Sequence, residues 1–361
     1  MSLGNHAGQA KETGVRMTDA RVALIRDWLA DELGWARGLR LEPASADASF
    51  RRYFRVWNDA GRTRIVMDAP PDKEDTGPYL QVSGLLRACG VHVPAIEAAD
   101  VERGFLLLED LGSTHMLARL RAGGDPGQLY GDALAALELI QVRGASAVDV
   151  LAPYDAAVLR REMELLPAWF CTRHLGLELS SDEMALLDHT FGFLEREMIS
   201  QPVVFVHRDY HSRNLMTTPD SSPGVIDFQD ALAGPIGYDL VSLLKDCYIS
   251  WPRAQQLAWL ADHRRRLKAS GVDAGADDAE FQRWFDFAGL QRHLKVLGIF
   301  ARLWYRDGKP DYLPDLPLTL QYVRDAATRY GELRDFSAWV EARLAPGLAA
   351  ANERAVAGAG A

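Results

Sequence analysis

The sequence predicts an α+β protein of two lobes, a small antiparallel sheet followed by a larger, mostly helical part. Three observations point there. The chain has 361 residues, too many for one ordinary hydrophobic core and few for three. Strand-like runs are concentrated before Gly112, whereas helical periodicity dominates after it. In that second part only two short apolar runs, VVFVH (203–207) and GVIDF (224–228), interrupt the helices.

In chain order, residues 1–16 are small and polar without periodicity and read as a disordered leader before Met17. A helix is expected from Thr18 to about Leu33, with Leu24, Trp28 and Leu33 near one face. RRYFRVW (51–57) and RTRIVM (62–67) flank NDAG, a hairpin turn ending in Gly61. A helix within Pro78–Ala88 stops at Gly90, and two extended runs, VPAIEAAD and GFLLLED, complete a first lobe over 17–111. The second lobe, 112–345, carries helices at 127–143, 155–175, 181–199, 236–249, 253–270, 279–306 and 317–343. Residues 346–361 are Ala/Gly-rich and read as a flexible tail. A cleft between the lobes is the expected place for a site.

Composition narrows the function. Nearly half the residues (48%) are apolar and 25% are charged, the balance of a soluble globular protein. A formal net charge of −10 disfavours sequence-independent nucleic-acid binding. No apolar run approaches the ~20 residues of a membrane helix, and no signal-peptide pattern opens the chain. Cys89, Cys171 and Cys247 are far apart, so they read as buried apolar residues in a reducing cytoplasm rather than as disulfide or zinc ligands.

The chemistry is concentrated in VVFVHRDYHSRNLM (203–216) and GVIDFQD (224–230). An apolar strand delivers Asp209, Asn214 follows five residues later, and Asp227 follows thirteen beyond that. Phosphoryl transfer needs a carboxylate to orient and deprotonate a hydroxyl, and oxygen ligands for Mg2+ on the phosphates. Asp209 suits the first task. Asn214 and Asp227 suit the second, since hard magnesium prefers amide and carboxylate oxygens.

This stretch resembles the catalytic and metal-binding loops of the protein-kinase superfamily, and His211 at Asp209+2 is similar to the aminoglycoside and choline phosphotransferase branch. The resemblance implies a bilobal protein-kinase-like fold that uses ATP and Mg2+. It implies that GFLLLEDLG is the hinge, with the Glu109 carbonyl and the Leu111 amide meeting adenine. His207 is expected to brace the catalytic loop, Asp239 to hold it from below or cap its helix, and His211 to approach the phosphate or bridge two strands. On the phosphate side the family's Gly-rich loop is replaced by SADASFRRYF (45–54), where Ser49 and its small neighbours let backbone amides approach phosphates. The strand position of the family's phosphate-binding Lys holds Asp68, leaving Arg51, Arg52 or Lys73 to supply the missing charge.

The longer segments DASFRRYFRVW, IVMDAPPDKED and GVIDFQDALAGPIGYDLVSLLKDCY, together with LQRHLKVLGIFARLWYRDGK, closely resemble the bacterial anomeric amino-sugar kinases of cell-wall recycling, over roughly residues 17–340. That resemblance implies ATP-dependent phosphorylation of N-acetylmuramate or N-acetylglucosamine at the anomeric hydroxyl. It also implies a functional link to a sugar-1-phosphate nucleotidyltransferase. Arg213, Gln291, Arg292, His293 and Lys295 are candidates for meeting the acceptor, a cationic cluster that suits an anionic sugar; a solvated helix face is the alternative for the last four. An aminoglycoside or other small-alcohol acceptor, and a non-catalytic nucleotide-binding protein, are the competing readings.

Overall fold

The protein is described from a computed structural model covering residues 20–46, 50–58, 61–219 and 222–358. The expected leader and Ser49 lie outside these residues. The chain forms two compact units, one comprising the described residues up to Gly77 with Pro94–Asp110, the other Pro78–Val93 and everything from Leu111 onward.

The first unit is built on α1 (Ala20–Leu33) and five strands: β1 (Leu41–Ala46), β2 (Arg52–Trp57), β3 (Thr63–Asp68), β4 (Ile96–Asp100) and β5 (Phe105–Glu109). The strands lie antiparallel in the order β1-β2-β3-β5-β4. Alternation of side chains puts Phe54, Val56, Val66, Phe105 and Leu107 on one face, where they pack with Val22, Ile25, Trp28 and Leu29 of α1. Leu24, expected on that helical face, is exposed instead. The β2–β3 turn closes as its sequence predicts: Gly61 takes φ 75°, and the Asn58 side chain accepts the Arg62 amide at 2.9 Å. Strand β1 escapes a pattern reading because Pro43 and small residues give no alternation, a composition that suits its place on the sheet edge.

The second unit begins with α2 (Gly77–Ala88), which ends on Gly90 at φ 82° and packs Tyr79 against Phe228 at 4.7 Å. There follow α3 (Met116–Arg121), α4 (Pro126–Arg143), α5 (Ala156–Met163) and α6 (Ser181–Ile199). Next come β6 (Val203–Val206), β7 (Leu215–Met216), β8 (Gly224–Val225) and β9 (Leu232–Pro235), pairing as β6–β9 and β7–β8. Helices α7 (Gly237–Leu244), α8 (Arg253–Ala269), α9 (Asp278–Asp307), α10 (Leu316–Ala327), α11 (Arg334–Trp339) and α12 (Leu348–Gly358) complete it.

Two expected helices are interrupted. The run 155–175 becomes α5 and then a wide π-turn over Leu166–His174, opened by Pro167, which has no amide to continue an α-helix. The run 317–343 divides into α10 and α11 around Gly331. The segment expected to be a flexible tail instead contains α12, docked through buried Leu348, Ala351 and Ala355 and through Asn352, which bonds His174 at 2.8 Å. All three cysteines are free and buried, and burial pushes the Cys171 and Cys247 thiols up to about 12.

Helix α9 runs through the centre of this unit, about 45 Å long at 1.5 Å per residue. It packs on α6, α7, α10 and the π-turn, so it is buried over most of its circumference rather than along one stripe. Gly298 makes the closest approach: a Cβ there would lie 2.4 Å from the Leu165 carbonyl carbon. This central placement buries Gln291, Arg292, His293 and Lys295, so the solvated-face alternative for those residues does not hold.

Candidate active site

Strand β6 leads into the loop that carries the expected chemistry. The loop is wound tightly on itself: His211 N–H donates to the Asp209 carbonyl at 3.0 Å and Asn214 N–H to the His211 carbonyl at 2.8 Å. Asn214 Nδ2 donates to the Asp209 carbonyl at 3.0 Å and to Asp227 Oδ2 at 3.3 Å. Strands β7 and β8 close the hairpin that brings Asp227 back to Asn214, with Ile226 N–H donating to the Asn214 carbonyl at 3.0 Å. Asp209, Asn214 and Asp227 therefore share one site.

Two non-glycine residues here adopt left-handed backbone, Arg208 at φ 76° and Asp227 at φ 63°. Such conformations cost free energy and persist only when their surroundings enforce them. Asp239, at the start of α7, accepts the His207 amide at 2.6 Å and the Arg208 amide at 3.0 Å. Burial pushes its carboxyl up to about 7, against the opposing pull of those amides and of Arg292. Asp246 holds the far side of the loop through the Ser212 amide at 3.0 Å and the Ser212 hydroxyl. His207 is buried and its Nδ1 accepts the Asp209 amide at 3.3 Å; burial lowers it to about 4, so the ring is neutral at physiological pH.

A buried ionic cluster lies behind Asp209. Glu162 Oε1 accepts Arg208 Nη2 at 2.6 Å and Lys295 Nζ at 2.8 Å, while Oε2 takes the Tyr154 hydroxyl and Gln291 Nε2. Arg292 Nη1 donates to the Arg208 carbonyl at 3.1 Å and lies 3.8 Å from Asp209 Oδ1. Residues 291, 292 and 295 share a side of α9, as i, i+1 and i+4 do. Desolvation alone would raise the Asp209 carboxyl, but Lys295 and Arg292, with Arg208, hold it at about 2. The same contest leaves Glu162 at about 2, with burial opposed by Lys295 and Arg208.

The sequence candidates thus separate into groups. Arg292 and Lys295 act on Asp209 from inside the protein. Gln291 is fully buried against Glu162, and His293 is fully buried with its Nε2 on the Lys245 carbonyl and its ring on Tyr322 at 4.8 Å. Neither of these two faces an open surface. Arg213 is different: its side chain is 34% exposed and its guanidinium lies 3.5 Å over the Tyr248 ring. His211 packs edge-on against the same ring, and burial keeps its imidazole neutral.

Glu162, Asp246 and Gln229 went unrecognised in the sequence. Glu162 had a signal, because Leu159, Glu162, Met163 and Leu166 recur at i, i+3, i+4 and i+7, placing an acid on an apolar face. Gln229 donates to Asp227 Oδ1 at 2.9 Å, and its own Oε1 is buried with no hydrogen-bond partner among the described residues. A carboxylate, an amide oxygen and an orphaned amide oxygen form a hard donor set of the kind magnesium takes alongside phosphate oxygens.

In the first unit, Arg52 opens β2 and Arg51 precedes it half-buried. Asp68 is not a bare carboxylate. It is fully buried and accepts Arg21 Nε at 2.6 Å and Arg52 Nε at 2.9 Å, Arg52 pairing with it cross-strand. Asp68 is therefore an anchor for two guanidinium groups. Replacing Asp68 with Lys is expected to place a third cation among them and destabilise the fold by on the order of 3 kcal/mol. A lowered urea midpoint is the expected measurement; an unchanged midpoint would show that the anchor is dispensable. Glu109 ends β5, with its amide on the Ala95 carbonyl at 2.8 Å and its Oε2 on the Ala95 amide. Leu111 opens the second unit.

Residues 40–281 match the model of the phosphotransferase enzyme family, APH. The chain is 45% identical over 326 residues to the N-acetylmuramate/N-acetylglucosamine kinase of Pseudomonas aeruginosa, covering 88% of this chain and 95% of that protein. Among solved structures it is similar to the ADP-bound aminoglycoside phosphotransferase APH(2'')-Ib (TM-score 0.54, 15% identity, 83% of this chain and 97% of that one). It is also similar to the choline kinase LicA of Streptococcus pneumoniae (TM-score 0.58, 11% identity, 84% and 98%). A five-stranded antiparallel sheet and a mostly helical second unit agree with those matches, and the chain belongs to the phosphotransferase enzyme family, as a phosphotransferase of protein-kinase-like fold.

Proposed function

We propose that the protein transfers the γ-phosphoryl group of ATP to the anomeric hydroxyl of N-acetylmuramate and N-acetylglucosamine, yielding sugar 1-phosphates during peptidoglycan recycling in the cytoplasm. The observation that carries this reading is the similarity to a kinase named for those two sugars, which extends over 88% of the chain and includes the catalytic loop. Asp209 accepts a hydrogen bond from the acceptor hydroxyl and aligns it for attack. Asn214 and Asp227, with Gln229 beside them, hold Mg2+, which when bound neutralises charge on the phosphates. Glu109 and Leu111 offer backbone groups to adenine; Ser49, Arg51, Arg52 and His211 serve the phosphates. The low basicity of Asp209 suits a loose transition state, in which orientation matters more than early proton removal. The 1-phosphate would then pass to a nucleotidyltransferase. No helix among the described residues is long and apolar enough to cross a membrane.

The test is product identity. Magnesium-ATP with either sugar is expected to yield an acid-labile 1-phosphate, identifiable by phosphorus NMR coupling to the anomeric proton. A 6-phosphate product, or turnover only with an aminoglycoside, would overturn the reading.

A further inference from the structure

We propose that Arg213 is a specificity-determining residue that binds the carboxylate distinguishing N-acetylmuramate from N-acetylglucosamine, an inference resting on the sugar-kinase reading above. The two sugars differ by a lactyl ether, which gives the muramate one negative charge. An enzyme acting on both needs a cation that meets that charge without being required for the neutral sugar.

The cations beside Asp209 are unequal to the task. Lys295 is committed to Glu162 at 2.8 Å, and Arg292 is buried against the Arg208 carbonyl. Arg213 has the opposite character. It donates no hydrogen bond to any described residue, and its nearest carboxylate, Asp315, lies 3.9 Å away, beyond hydrogen-bonding distance. The guanidinium is nevertheless held in place, 3.5 Å over Tyr248 and 5.8 Å from the Tyr312 ring centre. Stacking of this kind fixes the plane and leaves the N–H fork at the edge for bidentate carboxylate binding.

Arg213 belongs to the same tight loop as Asp209. Three residues separate Asp209 from Arg213, and the bonds Asp209 accepts at its carbonyl from His211 and Asn214 fold that segment back on itself. His211, whose amide bonds the Asp209 carbonyl at 3.0 Å, packs edge-on against Tyr248 at 5.5 Å, and Arg213 stacks on that same ring, so Tyr248 joins the Asp209 loop to the guanidinium. A sugar with its C1 hydroxyl on Asp209 would extend its C3 substituent toward the guanidinium.

Arg213→Met keeps the stem and removes the fork. It is expected to raise KM for N-acetylmuramate by ~10–100-fold, the range of one charge-assisted hydrogen-bonding pair, with kcat little changed. Turnover of N-acetylglucosamine should stay within about 3-fold, which also shows that the variant is folded. Arg213→Lys should fall between, because an ammonium keeps the charge but not the fork. Wild-type enzyme should prefer N-acetylmuramate over its neutral methyl ester, and the Met variant should not. Equal losses on both sugars, or no loss on either, would overturn the assignment. A wild-type protein that phosphorylates neither sugar would instead sink the sugar-kinase reading, and the assignment with it.

Discussion

Replacing Asp209 by Asn lowers kcat by ~10²–10⁴-fold while leaving KM for ATP within a few-fold, the loss expected when a positioned carboxylate is removed from a proton-transfer step. The change is clean because the loop does not depend on this carboxyl group. Asp209 contributes its carbonyl to the Asn214 side chain and its amide to His207, both of which Asn retains, and its own side chain is 39% exposed. The pH profile supplies a second readout. Since Lys295, Arg292 and Arg208 hold Asp209 at about 2 against partial desolvation, it is ionised throughout the physiological range. No acid limb belonging to this group is therefore expected between pH 4 and 8 in wild-type kcat, and removing Arg292's charge (Arg292→Met) should bring one into view from below. A fully active Asn variant would move the role to another group, and His211, neutral and adjacent, would be the first to examine.

What was legible in the sequence was local. Asp209, Asn214 and Asp227 are close in the chain, joined by a tight loop and a two-strand hairpin, so their spacing alone encodes a shared site. The β2–β3 turn and the start of α6 are local in the same way: Asn58 with Gly61, and the capping box of Ser180 with Glu183, act within four residues. Illegible were the pairings made only by the folded chain. Arg21 and Asp68 lie 47 residues apart, and nothing near Asp68 announces that a helix N-terminal to the sheet will neutralise it. Gln291 and Glu162 are separated by 129 residues. The polar residues of α9 illustrate the cost of a one-helix reading. Taken alone, a core stripe flanked by Gln, Arg, His and Lys describes a surface helix; packed on four sides, all four flanks are buried, and two of them, Arg292 and Lys295, become the charges behind Asp209.

That cluster carries the largest expected effect on stability. Glu162 is one buried acid shared by Arg208 and Lys295, so Glu162→Gln leaves a buried lysine and a half-buried arginine without this counter-charge. Breaking a buried pair by removing one partner costs about 3–5 kcal/mol, more than the pair itself contributes, because the remaining charge stays desolvated. The sign of the pH dependence follows from the depressed acid. Glu162 titrates at about 2 in the folded protein, well below an ordinary glutamate, so its contribution is fully present above pH ~4.5 and is lost as pH falls through 2. The shift corresponds to about 3 kcal/mol at neutral pH. Urea midpoints measured from pH 7 down to 3 should therefore decline for wild type by more than for Glu162→Gln, the two curves converging at the acid end. A parallel pair of curves would place the acid sensitivity elsewhere, Asp286 with its own buried Lys245 at 2.9 Å being the next such pair. Because Arg208 is both the partner of Glu162 and a residue held at φ 76° beside Asp209, the proposed base, the Gln variant should also lose activity at pH 7, before it unfolds. Its rate should fall at urea concentrations where the wild-type rate is unchanged, linking the buried ion pair to the geometry of the loop it supports.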